Sequence, residues 1–137
     1  MDKLDYKKAN KDLYMPTTTP SKIFAPKMTF IMVDGKGDPN MPDGEYTAAV
    51  ELLYTLTYAI KMSNKGAHVP AGYFEYVVPP LEGFWEFGDD THDIKKKDLY
   101  LWTSLIRQPE FVSQDIFLWA ASRALITFYR KRLRSQP

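Results

Sequence analysis

Two carboxylates and an indole share one short segment, Leu81–Phe87 (LEGFWEF). A carboxylate near an indole can bind a cation, or act as a general base when burial raises its pKa. Strand alternation places Glu82 and Glu86 on one face and Trp85 on the other, unless Gly83 forms a bulge. Glu82 and Glu86 are therefore the candidate catalytic or ligand-orienting residues. The alternative is that both are surface carboxylates on an edge strand.

A second aromatic group comes from the run at residues 99–106 (LYLWTSLI). Alternation gives one strand face to Tyr100, Trp102 and Ser104, and it gives the other face to leucines 99, 101 and 105. The leucine face is expected to pack on helices, so that the aromatic face lines a ligand groove. The alternatives are a second core layer and a dimer interface.

Three tyrosines belong to a predicted helix. Tyr54 and Tyr58 are four residues apart and project from the same side, while Tyr46 lies near the helix start. They flank the apolar stripe, so they either line the rim of a pocket or pack on the sheet edge. The predicted ligand-binding residues are therefore Tyr46, Tyr54, Tyr58, Glu82, Trp85, Tyr100 and Trp102.

Arg107 has two interpretations. It either clamps an anionic group of a ligand or pairs with an acid of the chain, for which Asp34 and Glu110 are the candidates. The pairing role is favoured, because arginines in such positions usually neutralise a neighbouring carboxylate.

The residues that could bind a metal or a nucleotide do not have the spacing that such sites need. His68 and His92 are isolated in loop-like segments, and the acidic turn around His92 matches no zinc pattern. The fragment at residues 35–37 (GKG) lacks the remaining glycines and the Lys-Ser/Thr ending of a phosphate loop. We therefore expect no metal and no cofactor.

The elements that position these residues follow from periodicity and turn chemistry. We predict strands over residues 28–34, 73–78, 81–87 and 99–106, a helix over 45–62 that ends with Gly66 in a left-handed cap, and a helix over 114–133 capped by Ser113. Consecutive strands with the helices set apart indicate an α+β fold, a mainly antiparallel sheet with helices packed on one face. Residues 1–20 are predicted to be an arm or short helix with a connector, and residues 21–137 a single module.

Composition excludes several classes. The chain has 137 residues, 45% hydrophobic and 26% charged, with no cysteine and a net charge of +1. It is globular, cannot form disulfides, and has no strong field for nucleic acid or an anionic membrane. The basic cluster at the end of the second long helix, Arg130, Lys131, Arg132 and Arg134, suits the helix dipole. With no predicted signal segment or membrane span, a cytoplasmic location is expected.

Four segments carry a family resemblance: residues 30–39 (FIMVDGKGDP), 54–61 (YTLTYAIK), 76–85 (YVVPPLEGFW) and 101–112 (LWTSLIRQPEFV). In order and spacing they resemble the bacterial GyrI-like family, which also supplies the effector-binding domains of transcription regulators. One such motif would be weak evidence, whereas four in register are specific.

The resemblance implies a strand-helix-strand-strand module. Two modules normally lie side by side about a pseudo-two-fold axis, with a lipophilic, cationic or xenobiotic ligand between them. Some stand-alone relatives hydrolyse cyclopropane-bearing genotoxins in an aromatic pocket where a carboxylate assists water. Small-molecule binding is the leading interpretation, and the alternatives are hydrolysis of such compounds and a protein-interaction module.

The chain departs from the family in having one complete module. We expect a homodimer to complete the groove, with truncation as the alternative. No helix-turn-helix motif precedes the module, so direct binding to nucleic acid is not expected.

Overall fold

The structure is a computed structural model that describes residues 2–135, with side chains described as far as residue 126. Its elements in chain order are α1 (Tyr6–Ala9), α2 (Lys11–Tyr14), β1 (Thr29–Lys36), α3 (Glu45–Lys61), β2 (Leu81–Glu86), β3 (Leu101–Gln108) and α4 (Gln114–Ser135). Short 3-10 turns follow α3 and precede β3.

The three strands form an antiparallel sheet in the order β1-β3-β2. Ile106 of β3 lies opposite Ile31 of β1 and Leu81 of β2, which fixes the register across the sheet. The strand that comes last in sequence therefore occupies the centre, with the two earlier strands on either side of it. The predicted strand-helix-strand-strand module and its α+β class are confirmed.

The core lies between the sheet and α3. The apolar stripe of α3 is buried at Leu53, Leu56 and Ile60, and it packs on Ile31 and Ile106. Helix α4 packs against α3 through two small buried residues, Ala120 and Ala124. Small side chains let the two helix backbones approach closely. Because Ala120 and Ala124 belong to the same core cluster as Ile31 and Ile106, both long helices lie on one side of the sheet, as predicted.

The prediction that the leucines of β3 face the helices is wrong. Trp102, Ser104 and Ile106 lie on the α3 side, because they share a face with the core residue Ile31 through the register. Gly35 lies opposite Trp102 and leaves room for the indole, since a β-carbon there would lie 2.2 Å from Trp102 Cη2. The glycine on the neighbouring strand thus makes room for the large ring on this face.

The predicted strand over residues 73–78 is also wrong. This segment makes a single parallel bridge, between Tyr76 and Leu4 of the N-terminal arm. Its aromatic rings instead form a cluster with Phe111, at centroid distances of 4.9 Å from Tyr73 and 5.4 Å from Phe74. The apolar run is explained by ring packing, and the segment ties the arm to the domain.

The bulge that the sequence left open at Gly83 is absent, and the predicted left-handed cap at Gly66 is wrong. Gly83 pairs regularly with Ser104, so β2 has no bulge. Gly66 has φ −86° and ψ −179°, which is ordinary extended backbone and no left-handed cap. Gly83 instead leaves room for the Trp85 indole, since a β-carbon there would lie 2.7 Å from Trp85 Nε1.

The start of α4 agrees with the sequence. The Ser113 hydroxyl accepts a hydrogen bond of 3.3 Å from the Ile116 backbone N–H, as expected of an N-cap. The basic side chains at residues 130–134 lie outside the described side chains. Among residues 2–135, no helix combines the length and the apolar character needed to cross a bilayer.

Gly35→Ala is expected to destabilise the domain by about 1–3 kcal/mol, because the added methyl group overlaps the buried Trp102 indole. Gly66→Ala is the matched control, since its β-carbon would have its nearest neighbour at 3.5 Å and its φ suits any residue. Urea denaturation followed by circular dichroism measures both. Equal stability of the two variants would contradict this account of Gly35.

Candidate functional site

The face of the sheet opposite α3 is called the open face. Register and alternation give its residues. They are Phe30, Met32, Asp34 and Lys36 of β1, Leu101, Thr103, Leu105 and Arg107 of β3, and Glu82, Phe84 and Glu86 of β2.

One half of the open face presents apolar side chains to solvent. Phe84 is 63% exposed and Met32 is 52% exposed. Phe84 and Leu101 border a shallow cavity of about 250 Å³ whose lining also includes Asp34 and Glu86. Exposed apolar side chains with a few polar groups beside them are typical of a binding surface.

Asp34 is held in place within this half. The Thr103 hydroxyl, on the neighbouring strand, donates a hydrogen bond of 2.5 Å to Asp34 Oδ1. The sequence left Asp34 as one candidate partner for Arg107, but its described partner is Thr103. This bond orients the carboxylate across the sheet, beside the cavity.

The other half of the open face is covered by the N-terminal arm, residues 4–14. Arg107 is only 5% exposed, and its Nη1 donates to Asn10 Oδ1 at 2.9 Å and to the Tyr14 hydroxyl at 3.5 Å. Its guanidinium carbon lies 4.2 Å from the centroid of the Tyr6 ring. The arm therefore closes over Arg107 with hydrogen bonds and a cation–π contact.

Arg107 also forms the predicted pair with Glu110. Its Nη2 lies 3.7 Å from Glu110 Oε1, and the Tyr6 hydroxyl donates to Glu110 Oε2 at 2.8 Å. Because the Glu110 side chain is 66% exposed, water weakens this ion pair. The structural role assigned to Arg107 is confirmed, and its charge stays available to other groups nearby.

Glu82 lies between the two halves of the open face. Its Oε2 atom is buried and, among the residues that the structure describes, has no hydrogen-bond partner. Burial raises the pKa of Glu82, and the positive charge of Arg107 opposes part of that rise. A desolvated carboxylate can accept or release a proton closer to neutral pH than an ordinary glutamate.

Four of the predicted aromatic residues form a cluster on the opposite face, under the start of α3. The Tyr46 ring lies 5.4 Å from Trp85 and 5.2 Å from Trp102, and Tyr100 lies 6.4 Å from Trp85. Trp102 is almost completely buried. Trp102 is therefore a core residue, the alternative that the sequence left open for its strand face. Trp85 is 46% exposed and lines a cavity of about 220 Å³ with Tyr100.

Tyr54 and Tyr58 also lie on the helix side. Their rings stack on each other at 6.3 Å, and Tyr54 packs against the core. The side chains of Glu82 and Glu86 project from one face of β2 and that of Trp85 from the other, as alternation predicted. Glu82 is therefore separated from the predicted aromatics by the sheet, whereas Glu86 lines one cavity together with Trp85 and Tyr100.

The sequence prediction missed the residues that surround Glu82 on its own face. Phe84 shares that face by simple alternation with Glu82 and Glu86, so the signal was present in the segment. Thr103 and Leu101 required the strand register, because they come from β3. The open face is the candidate functional site.

No protein-family model matches the chain, and no curated protein matches it. It is similar to crystal structures from Listeria innocua. An uncharacterized conserved protein is 50% identical with a TM-score of 0.79, over 89% of this chain and 58% of its own. Two hydrolases are each 46% identical, with TM-scores of 0.81 and 0.77. The matches cover 98% and 97% of this chain and 62% and 60% of theirs, so the chain spans about three fifths of their length.

Glu82→Gln is expected to raise the melting temperature at pH 7. The raised pKa means that the folded state favours protonated Glu82, so this stability is present below the ordinary glutamate pKa and is lost as pH rises. A neutral glutamine removes the cost of burying a charge at pH 7, and the advantage should shrink towards pH 4. Thermal unfolding at both pH values measures it.

Glu86→Gln is the matched control, because Glu86 is an exposed carboxylate on the same strand face. It should show no comparable gain at pH 7. A stability gain from Glu86→Gln as large as that from Glu82→Gln would assign the effect to surface charge.

Proposed function

We propose that the open face binds a lipophilic small molecule and that Glu82 orients it, as in ligand-binding proteins of the GyrI-like kind. The observation that carries this proposal is the desolvated carboxylate of Glu82 on the same face as the exposed side chains of Phe84, Met32 and Leu101. Small-molecule sites commonly combine apolar walls with a few placed polar groups.

Charge on the open face is close to balanced. Three carboxylates, Asp34, Glu82 and Glu86, share it with two cations, Lys36 and Arg107. No single sign dominates these described residues, so burial of apolar surface supplies most of the affinity in this proposal. The carboxylates then contribute orientation and selectivity.

Phe84→Ala is expected to weaken binding of a neutral apolar dye such as Nile red by roughly tenfold or more. A buried phenylalanine ring contributes about 1.5–3 kcal/mol of transfer free energy. Dye fluorescence during titration measures the affinity. Tyr58→Ala is the control, because Tyr58 is an exposed aromatic on the helix side. Weaker binding by Tyr58→Ala, with Phe84→Ala unchanged, would place the ligand on the other face.

A second candidate function is hydrolysis. Two of the similar crystal structures are hydrolases, at 46% identity over nearly all of this chain. In this proposal the substrate is a cyclopropane conjugated to a carbonyl, the electrophilic class that the family resemblance suggests. Glu82 is the general base in this proposal. Burial raises the pKa of its carboxylate above that of an ordinary glutamate, and a general base is most effective when its pKa lies near the working pH.

The proposed step balances without any further reactant. The oxygen of water bonds to the electrophilic ring carbon, the strained ring bond breaks, and its electron pair passes to the conjugated carbonyl. Glu82 accepts the proton that water releases and returns it to the product. Asp34 and Glu86 are less suited to this role, since both residues are exposed to solvent.

Turnover of such a cyclopropane substrate should fall about 10²–10⁴-fold in Glu82→Gln, the range for loss of a general base. Glu86→Gln should retain most of the rate. Product formation followed by chromatography under single-turnover conditions distinguishes this from binding alone. Stoichiometric binding without product would contradict the proposed hydrolysis and would agree with the proposed ligand binding.

A further inference from the structure

Two buried polar atoms on the open face have no hydrogen-bond partner among the described residues. They are Glu82 Oε2 and Arg107 Nε. A buried donor or acceptor that stays unpaired costs about 1–3 kcal/mol, so such atoms usually mark a place where another group is held. Here one atom is an acceptor and the other is a donor, so a group that both donates and accepts a hydrogen bond can satisfy both of them.

Their positions in the sheet bring the two residues together. Glu82 pairs with Leu105, and Arg107 is two residues further along β3, so Glu82 and Arg107 are diagonal neighbours on one face. Diagonal neighbours have backbones roughly 7–8 Å apart, within reach of two long side chains. Arg107 is also close enough for its charge to act on the pKa of Glu82.

The terminal nitrogens of Arg107 are occupied. Nη1 bonds to Asn10 and Tyr14, and Nη2 faces Glu110. The planar guanidinium is therefore held in one orientation by the arm and by Glu110, and this fixes the direction of its Nε–H bond. A fixed donor beside a desolvated acceptor is a preorganised polar site.

Resting on the proposed function, we infer that Glu82 and Arg107 form a subsite for a neutral hydrogen-bonding group of the lipophilic ligand, an amide or a hydroxyl. Such a group accepts a hydrogen bond from Arg107 Nε and donates one to Glu82 Oε2. The apolar remainder of the ligand then lies on Phe84, which is two residues along β2 from Glu82 on the same face.

Charged groups fit this subsite less well. A cation attracted by Glu82 meets the buried positive charge of Arg107, and an anion attracted by Arg107 meets Glu82. The ion-pair partner described for Arg107 is Glu110, which is mostly exposed and held by the Tyr6 hydroxyl. The subsite therefore narrows the ligand class from lipophilic compounds in general to neutral compounds with one polar group.

Four naphthalenes that differ in one substituent test the inference at pH 7. They carry a carboxamide, an aminomethyl cation, a carboxylate or a methyl group, and equilibrium dialysis measures their binding to the full chain. The carboxamide should bind about tenfold more tightly than the methyl compound, which corresponds to the net contribution of one to two hydrogen bonds. The two charged compounds should bind no better than the methyl compound.

Glu82→Leu should remove the preference for the carboxamide and leave binding of the methyl compound intact. Glu45→Leu, which replaces an exposed carboxylate at the start of α3 and outside the open face, should keep the preference. Arg107→Lys keeps the charge but lacks Nε, and should also lose the preference. Because a lysine side chain would make fewer contacts with the arm, the Glu82→Leu result decides the question if the Arg107→Lys variant proves unstable.

These experiments distinguish failure of the subsite from failure of the proposed binding function. Equal affinity for all four compounds, or a preference for the cation, would overturn the subsite while the proposed binding function stands. A carboxamide preference that survives in Glu82→Leu would also overturn it. Absence of binding by every naphthalene would overturn the proposed function and the subsite together.

Discussion

The central position of β3 is the constraint on which the rest of the structure depends. β1 and β2 pair with its two edges, so its side chains project only from the two faces of the sheet. Successive residues of β3 therefore lie on opposite faces. Ile106 enters the core under α3, whereas Arg107, the next residue, crosses to the open face and meets the N-terminal arm. One strand therefore supplies both the core and the polar end of the candidate site.

Burial of Arg107 explains why the arm belongs to the domain. A guanidinium cannot lose its charge, so a buried one needs hydrogen-bond acceptors and a polarisable neighbour. Asn10, Tyr14 and the Tyr6 ring provide these from the arm, and Leu4 adds backbone bonds to the segment around Tyr76. The same contacts shield one half of the open face and leave the half around Phe84 accessible.

The unpaired atoms lower the stability of the domain, and their presence fits a binding surface. A sheet face optimised for stability would pair Glu82 or replace it with an apolar residue, since burying a carboxylate is unfavourable. Residues that lower stability are commonly retained where a site needs them. Glu82 is placed in this way, between an apolar half that can hold a lipophilic group and a polar half that is already preorganised by Arg107.

The sequence by itself determined the elements whose periodicity is long and unbroken. The helix at 45–61, the strands around Ile31, Glu82 and Leu105, and the Ser113 cap could all be predicted, because local hydrogen bonding and side-chain period decide them. The opposition of Glu82 and Trp85 also followed from alternation alone.

Only the tertiary structure decided which face of β3 meets α3. On that face Gly35 of another strand makes room for Trp102, and no local pattern in residues 99–106 contains that information. The same reason accounts for the candidate site. Phe84, Thr103 and Arg107 come to share one face through strand register and the docking of the arm, both of which join residues that are distant in sequence.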